Sequence, residues 1–225
     1  MGFRSALSKI LLASVWVSLC MGCSTSFKYS PTRDQTYAPI ANRTGLAIRT
    51  GEDLRPEEEK QPSWCRKAEP IVAKALAVEI RRNKLFNRVK IHTDAVNPKK
   101  FPEIIQFRVK KFECASKASF FESAGRVALE AQGIRGALIA RSIPRKYTAD
   151  VEVEFEVLDS TTRQPVFDKS YSASGVVTLN GYQSEKPLVQ QMSAALETVL
   201  NKFILDLTKI PLSHEEVNNR LPSKR

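Results

Sequence analysis

Apolar side chains occupy every second position between residues 147 and 157. Tyr147, Ala149, Val151, Val153, Phe155 and Val157 alternate with Thr148, Asp150, Glu152, Glu154 and Glu156. A period of two marks a strand with one face on a core and the other in water. Residues 103–114, with Ile105, Phe107 and Val109 in one phase, predict a second long strand. Residues 44–50 and 87–92 predict two short ones, and a turn at residues 159–163 leads into a partner strand over "QPVFDKSYSASGVV". Elsewhere the period lengthens. Ile71, Val72, Ala75, Leu76, Val78 and Ile80 recur at steps of three and four, predicting an amphipathic helix over residues 69–84. Pro70 fits its first turn, and Arg81, Arg82 and Lys84 sit where the helix dipole favours cations. A longer stripe of Leu188, Met192, Leu196, Val199, Leu200, Phe203, Ile204 and Leu207 predicts a final helix, which Ser184 can cap. The pattern is that of an α+β domain: a mainly antiparallel sheet of about four to five strands on two long amphipathic helices.

Residues 119–146, "SFFESAGRVALEAQGIRGALIARSIPRK", fit neither period and are too long for a turn between neighbouring strands. They form a Gly/Ala-rich insertion. A helix from about residue 122 to 141 is expected, although Gly125, Gly133 and Gly136 each cost about 1 kcal/mol against alanine. Two readings stand side by side. The insertion lies on the sheet, or it contacts a partner or membrane and turns Arg126, Arg135, Arg141, Arg145 and Lys146 to an anionic surface.

The start of the chain follows another pattern. Arg4 and Lys9 precede an apolar run over residues 10–21. Twelve residues rise about 18 Å as a helix, short of the roughly 30 Å hydrocarbon core. A basic head, a run of this length and small residues after it read as a secretory signal. Gly22 before Cys23 resembles the lipobox of bacterial lipoproteins, with Cys20 and Leu19 where that motif usually has one Leu. The resemblance implies cleavage between Gly22 and Cys23 and lipidation of Cys23, with palmitate among the acyl chains. An ordinary cleaved signal and a short uncleaved anchor are the alternatives. Ser24, in place of Asp, favours the outer membrane by the sorting rule of that group. The expected organisation is a signal over residues 1–22, a lipidated flexible tether over 23–42, one domain over 43–209 and a disordered tail over 210–225.

The whole chain carries a formal charge of +11, and +9 remains without residues 1–22. Export turns that charge away from nucleic acid and toward anionic lipid or cell-wall polymer, a thinly spread and merely solvated basic surface being the alternative. Beyond Cys23, Cys65 and Cys114 remain as a candidate disulfide pair in an oxidising compartment, two inert thiols being the alternative. The carboxylates of Glu152, Glu154 and Glu156 stand about 7 Å apart along a strand, too far to share an ion unaided. Pairing with Arg108 and Lys110 on a neighbouring strand is the simpler expectation. No phosphate loop, zinc spacing or nucleophile motif occurs, and the two histidines are His92 and His214. No enzyme, cofactor or metal is therefore expected.

The order of elements is itself informative: a long helix running into "KLFNRVKI", then "IIQFRVKKF", the insertion, the hairpin "VEVEFEVLDSTTRQPV" and a closing helix. It resembles the α+β domain of bacterial envelope lipoproteins of the curli-secretion, transport-auxiliary and unknown-function kinds. The resemblance spans roughly residues 44–208 and contains no catalytic signature. It implies a lipid-anchored, periplasm-facing adaptor or accessory subunit that binds an envelope protein through its sheet edge or its insertion. A module for an anionic lipid or cell-wall polymer, and a subunit of an outer-membrane secretion or transport assembly, are the alternatives.

Overall fold

The computed structural model describes residues 27–32, 44–60, 66–92, 97–116, 120–180 and 185–210. Strands β1 (Gly45–Arg49) and β2 (Glu52–Asp53) lead through a 3-10 turn to helix α1 (Ala68–Arg82). Then follow β3 (Arg88–His92), β4 (Glu103–Ser116), helices α2 (Phe120–Glu130) and α3 (Ile134–Ser142), β5 (Arg145–Asp159), β6 (Pro165–Leu179) and α4 (Lys186–Leu207).

The strands form one sheet in the order β3-β1-β4-β5-β6, with β2 also beside β4. From β4 to β6 it is an antiparallel meander, as the alternation implied. The other half is parallel: β1 runs with both β3 and β4, and β2 with β4. The sheet is therefore mixed and six-stranded, which corrects the expected mainly antiparallel sheet of four to five. The cause is α1, which carries the chain back along the sheet so that β3 sets out in the same direction as β1. Periodicity finds strands but not their directions.

α1 and α4 cover one face. Between them and the sheet lie Phe107, Phe112, Phe155 and Phe203, all essentially inaccessible. Phe155 stacks on Phe203 with ring centroids 4.2 Å apart, and Tyr171 packs edge-on to Phe203 at 6.0 Å. Ile105, Phe107 and Val109 face this core as expected. A bulge between Val109 and Lys111 then shifts the phase by one residue, turning Phe112 inward in place of Lys111. Phe112 also seats the loop after β2. The guanidinium of Arg55, itself buried, donates 2.7 Å to the Phe112 carbonyl and forms a fork with Asp53 at 2.6 and 2.8 Å. Burial opposes the charge on Asp53, but these hydrogen bonds outweigh it and hold the carboxyl below its usual range.

The insertion holds two helices, correcting the single helix expected over residues 122–141. The break falls at Gly133, whose φ of 81° lies in the left-handed region that favours glycine. Gly136 lets the halves close on each other, because a Cβ there would sit 1.8 Å from the Leu129 carbonyl oxygen. Among the described residues α2 and α3 pack mainly on each other and not along the sheet, unlike the reading as a covering insertion.

Residues 27–32, assigned from sequence to a free tether, run as a strap over the helical layer. The Phe27 ring meets Phe112 at 5.6 Å. The Tyr29 hydroxyl donates 2.6 Å to Glu79 on α1. Ser30 and Ser193 exchange hydrogen bonds of 3.1 Å, and Thr32 donates to Glu197 from both its amide and its hydroxyl. Ser193 and Glu197 belong to α4, so the strap joins the two helices. Cap candidate Ser184 lies outside the described residues, as do the leader, residues 33–43 and the tail from residue 211.

Candidate interaction surfaces

The sheet face away from α1 and α4 carries the carboxylates of β5. Glu154 accepts 2.7 Å contacts from both Arg108 and Lys110, and Glu156 lies 3.8 Å from Arg108. The hydrogen bond from Lys110 is the main reason the Glu154 carboxyl stays below its usual range. Cross-strand pairing is thus what Glu154 and Glu156 do, as the spacing suggested. A cleft of about 310 Å³ beside it is lined by Arg49, Gln106, Arg108, Glu154 and Glu156, a set whose charges largely offset one another. Among the described residues, no three His, Cys, Asp or Glu side chains are grouped to hold a metal ion.

A second hollow, of about 700 Å³, lies where α1 ends and β3 begins. Arg81, Lys84, Arg88 and Lys90 line it, with Phe86 and Phe101 as apolar walls. Lys84 takes a φ of 51°, turning the chain so that Leu85 and Phe86 bury and the flanking cations stay out. Arg81 donates 2.9 Å to the Val89 carbonyl. None of the four cations is in an ion pair among the described residues. The hollow adjoins the sheet's edge, since among the described residues β3 pairs with β1 alone. Sequence reading took these residues as helix-dipole partners and missed the groove. The signal was present: residues 81–90 hold five cations and no acid.

The third surface is the hairpin of α2 and α3. Arg135 and Arg141 are exposed on α3, Arg145 half-buried and Lys146 exposed at the start of β5. Arg141, Arg145 and Lys146 lie where α3 passes into β5, and Arg135 lies at the start of α3; the side chain of Arg126 lies outside the described residues. Cys114, half-buried on β4, is a free thiol, and burial pushes it up to about 12. Its candidate partner Cys65, and both Gly22 and Cys23, lie outside the described residues. His92 ends β3 and meets Phe101 edge-on at 5.1 Å.

No protein-family model matches the chain. No curated protein matches it either. Solved structures do. A Xanthomonas campestris protein of the DUF330 family is 13% identical over 86% of this chain and 98% of its own, with a TM-score of 0.44. The PelC dodecamer of Paraburkholderia phytofirmans shares 14% over 74% and 91%, at 0.38. A minor lipoprotein from Acinetobacter baumannii shares 12% over 80% and 96%, at 0.31. Likenesses at this level say nothing of function. No helix among the described residues is long and apolar enough to cross a membrane.

Proposed function

We propose that the protein is a non-catalytic, lipid-anchored component of the bacterial envelope that binds an acidic partner protein through the groove at the β3 edge. Anchorage is assigned to Cys23 after cleavage at Gly22, with Ser24 directing the protein to the outer membrane and the domain into the periplasm. The observation that carries the binding role is the groove itself: Arg81, Lys84, Arg88 and Lys90 around two phenylalanines, with no acid paired to them among the described residues. Unbalanced charge of one sign speeds encounter with an opposite partner and excludes like-charged ones. The adjoining strand edge offers backbone groups to whatever docks.

The test is site-specific photocrosslinking in living cells from position 90. A defined adduct that disappears with Arg88→Glu supports the reading, and an adduct indifferent to that reversal refutes it. A polyanion such as lipopolysaccharide or cell-wall polymer is the second reading, favoured by the size of the hollow, about 700 Å³. An adduct sensitive to protease would support a protein, and one that survives protease a polymer.

A further inference from the structure

The strap fixes where the chain enters the domain. Ser30 sits beside Ser193 and Thr32 beside Glu197, so the strap runs along α4 in the helix's own direction. Phe27 is therefore the end of the strap nearer the start of α4. Phe27 itself touches Phe112, near the end of β4. The same end of the sheet is where Ser116 faces Tyr147 and where β4 gives way to the α2–α3 hairpin. From Phe27 back to Cys23 the chain can span no more than about 14 Å. An anchor at Cys23 is thus tethered within that reach of Phe27, whose contact with Phe112 lies at the hairpin's end of the sheet.

The outward face of that hairpin is unlike the rest of the surface. α3 turns Gly136 and Ala140 inward, toward α2, and leaves Ile134 83% exposed, Leu138 49% and Ile139 54%. Val127 on α2 is 67% exposed. Among the described residues, five of the ten exposed large apolar side chains fall within residues 127–143, a concentration that scattered surface residues do not produce. Arg135 and Arg141 lie among them. Apolar side chains interleaved with arginines on a short helix suit the headgroup layer of an anionic bilayer, where the first insert and the second meet phosphate.

We propose that the hairpin is a second membrane contact, lying in the interface of the same bilayer that holds Cys23. The inference rests on the reading of Cys23 as the lipid anchor, because proximity to that anchor favours a bilayer over a protein as the occupant. It also orients the molecule. The basic groove opens at the start of β3, and β3 runs parallel to β1 and β4 toward the hairpin. The groove thus faces away from the membrane.

The experiment places tryptophan at Leu138 or at Lys90 in the mature lipidated protein, with emission from the native Trp64 subtracted using the parent. Vesicles of phosphatidylethanolamine and phosphatidylglycerol are prepared with ordinary and with brominated acyl chains. Leu138→Trp should lose roughly half its emission in the brominated lipid, as expected of an interfacial side chain, and Lys90→Trp almost none. An unquenched Leu138→Trp, or equal quenching at both positions, overturns the proposal, and a protein partner for the hairpin then takes its place. Intact mass at Cys23 is read on the same sample. Quenching without an acyl chain keeps the hairpin contact and sinks the anchor, so the two failures are distinct.

Discussion

Glu79 and Glu197 are each only 2% exposed, an expensive position for a carboxylate unless its oxygens are met by donors. The strap supplies them: the Tyr29 hydroxyl for Glu79, and the amide and hydroxyl of Thr32 for Glu197. Tyr29→Phe removes one donor while keeping the ring. It should cost about 1–3 kcal/mol in urea unfolding, the usual range for a buried acceptor left short of a partner. Sequence patterning cannot find such contacts, because the partners stand 50 and 165 residues apart. Asp206 gives a pH test. Hydrogen bonds from Lys169 and then Tyr171 hold its carboxyl at about 2, below the ordinary 3.8. A depressed folded-state value stabilises the fold above pH 3.8, and that contribution is lost as pH falls through 2. Asp206→Asn should therefore lower stability at pH 6, with the gap to wild type closing by pH 2 in acid titrations followed by circular dichroism. Cys114 shifts the other way. With its thiol pushed up to about 12, chiefly by burial, it should alkylate far more slowly at pH 8 in the folded than in the unfolded protein, as read by mass.

At the scale of elements, what the sequence shows best is whatever repeats. The alternation of β5 and the stripe of α4 carry their own burial, so Phe155 and Phe203 could be assigned to the core from spacing alone. Phe203→Ala should cost about 3–5 kcal/mol by calorimetry, since it empties the stack against Phe155. Hidden from the pattern are single residues that break it. The bulge between Val109 and Lys111 reverses the phase of β4 at one step, and Gly133 divides what reads as one helix into two. A glycine-rich stretch states that the backbone is free to turn and leaves open where it does. The structure gives Gly136 a sharper role than flexibility, because even a methyl group would meet the Leu129 carbonyl. Gly136→Val should pry the hairpin apart and leave the sheet intact. Hydrogen exchange would show faster exchange confined to residues 120–142.

The whole molecule is polar in the geometric sense. One end holds the entry of the strap and the exposed apolar hairpin, and the other the basic groove. Strand direction decides this arrangement, and strand direction is what the sequence withheld; with β3 antiparallel to β1, the groove would have opened beside the hairpin. Binding at the groove should therefore respond to ionic strength independently of membrane attachment. Raising salt from 50 to 500 mM shrinks the screening length from about 14 Å to about 4 Å. Partner affinity should drop steeply over that range, while the fraction sedimenting with membranes changes little. Affinity that holds steady would mean an apolar interface instead.

The strap also sets an order of events. Every residue in it precedes the side chains that hold it, and Thr32 waits for Glu197. A chain that emerges from its amino end, as every ribosomal product does, exposes Phe27 and Tyr29 long before α4 exists to receive them. Until then Glu79 sits on a completed first helix with its hydroxyl partner unsecured, and the layer over the sheet stays open along one seam. Final closure waits for the last fifth of the chain, so a chain truncated before Ser193 leaves its own beginning undocked.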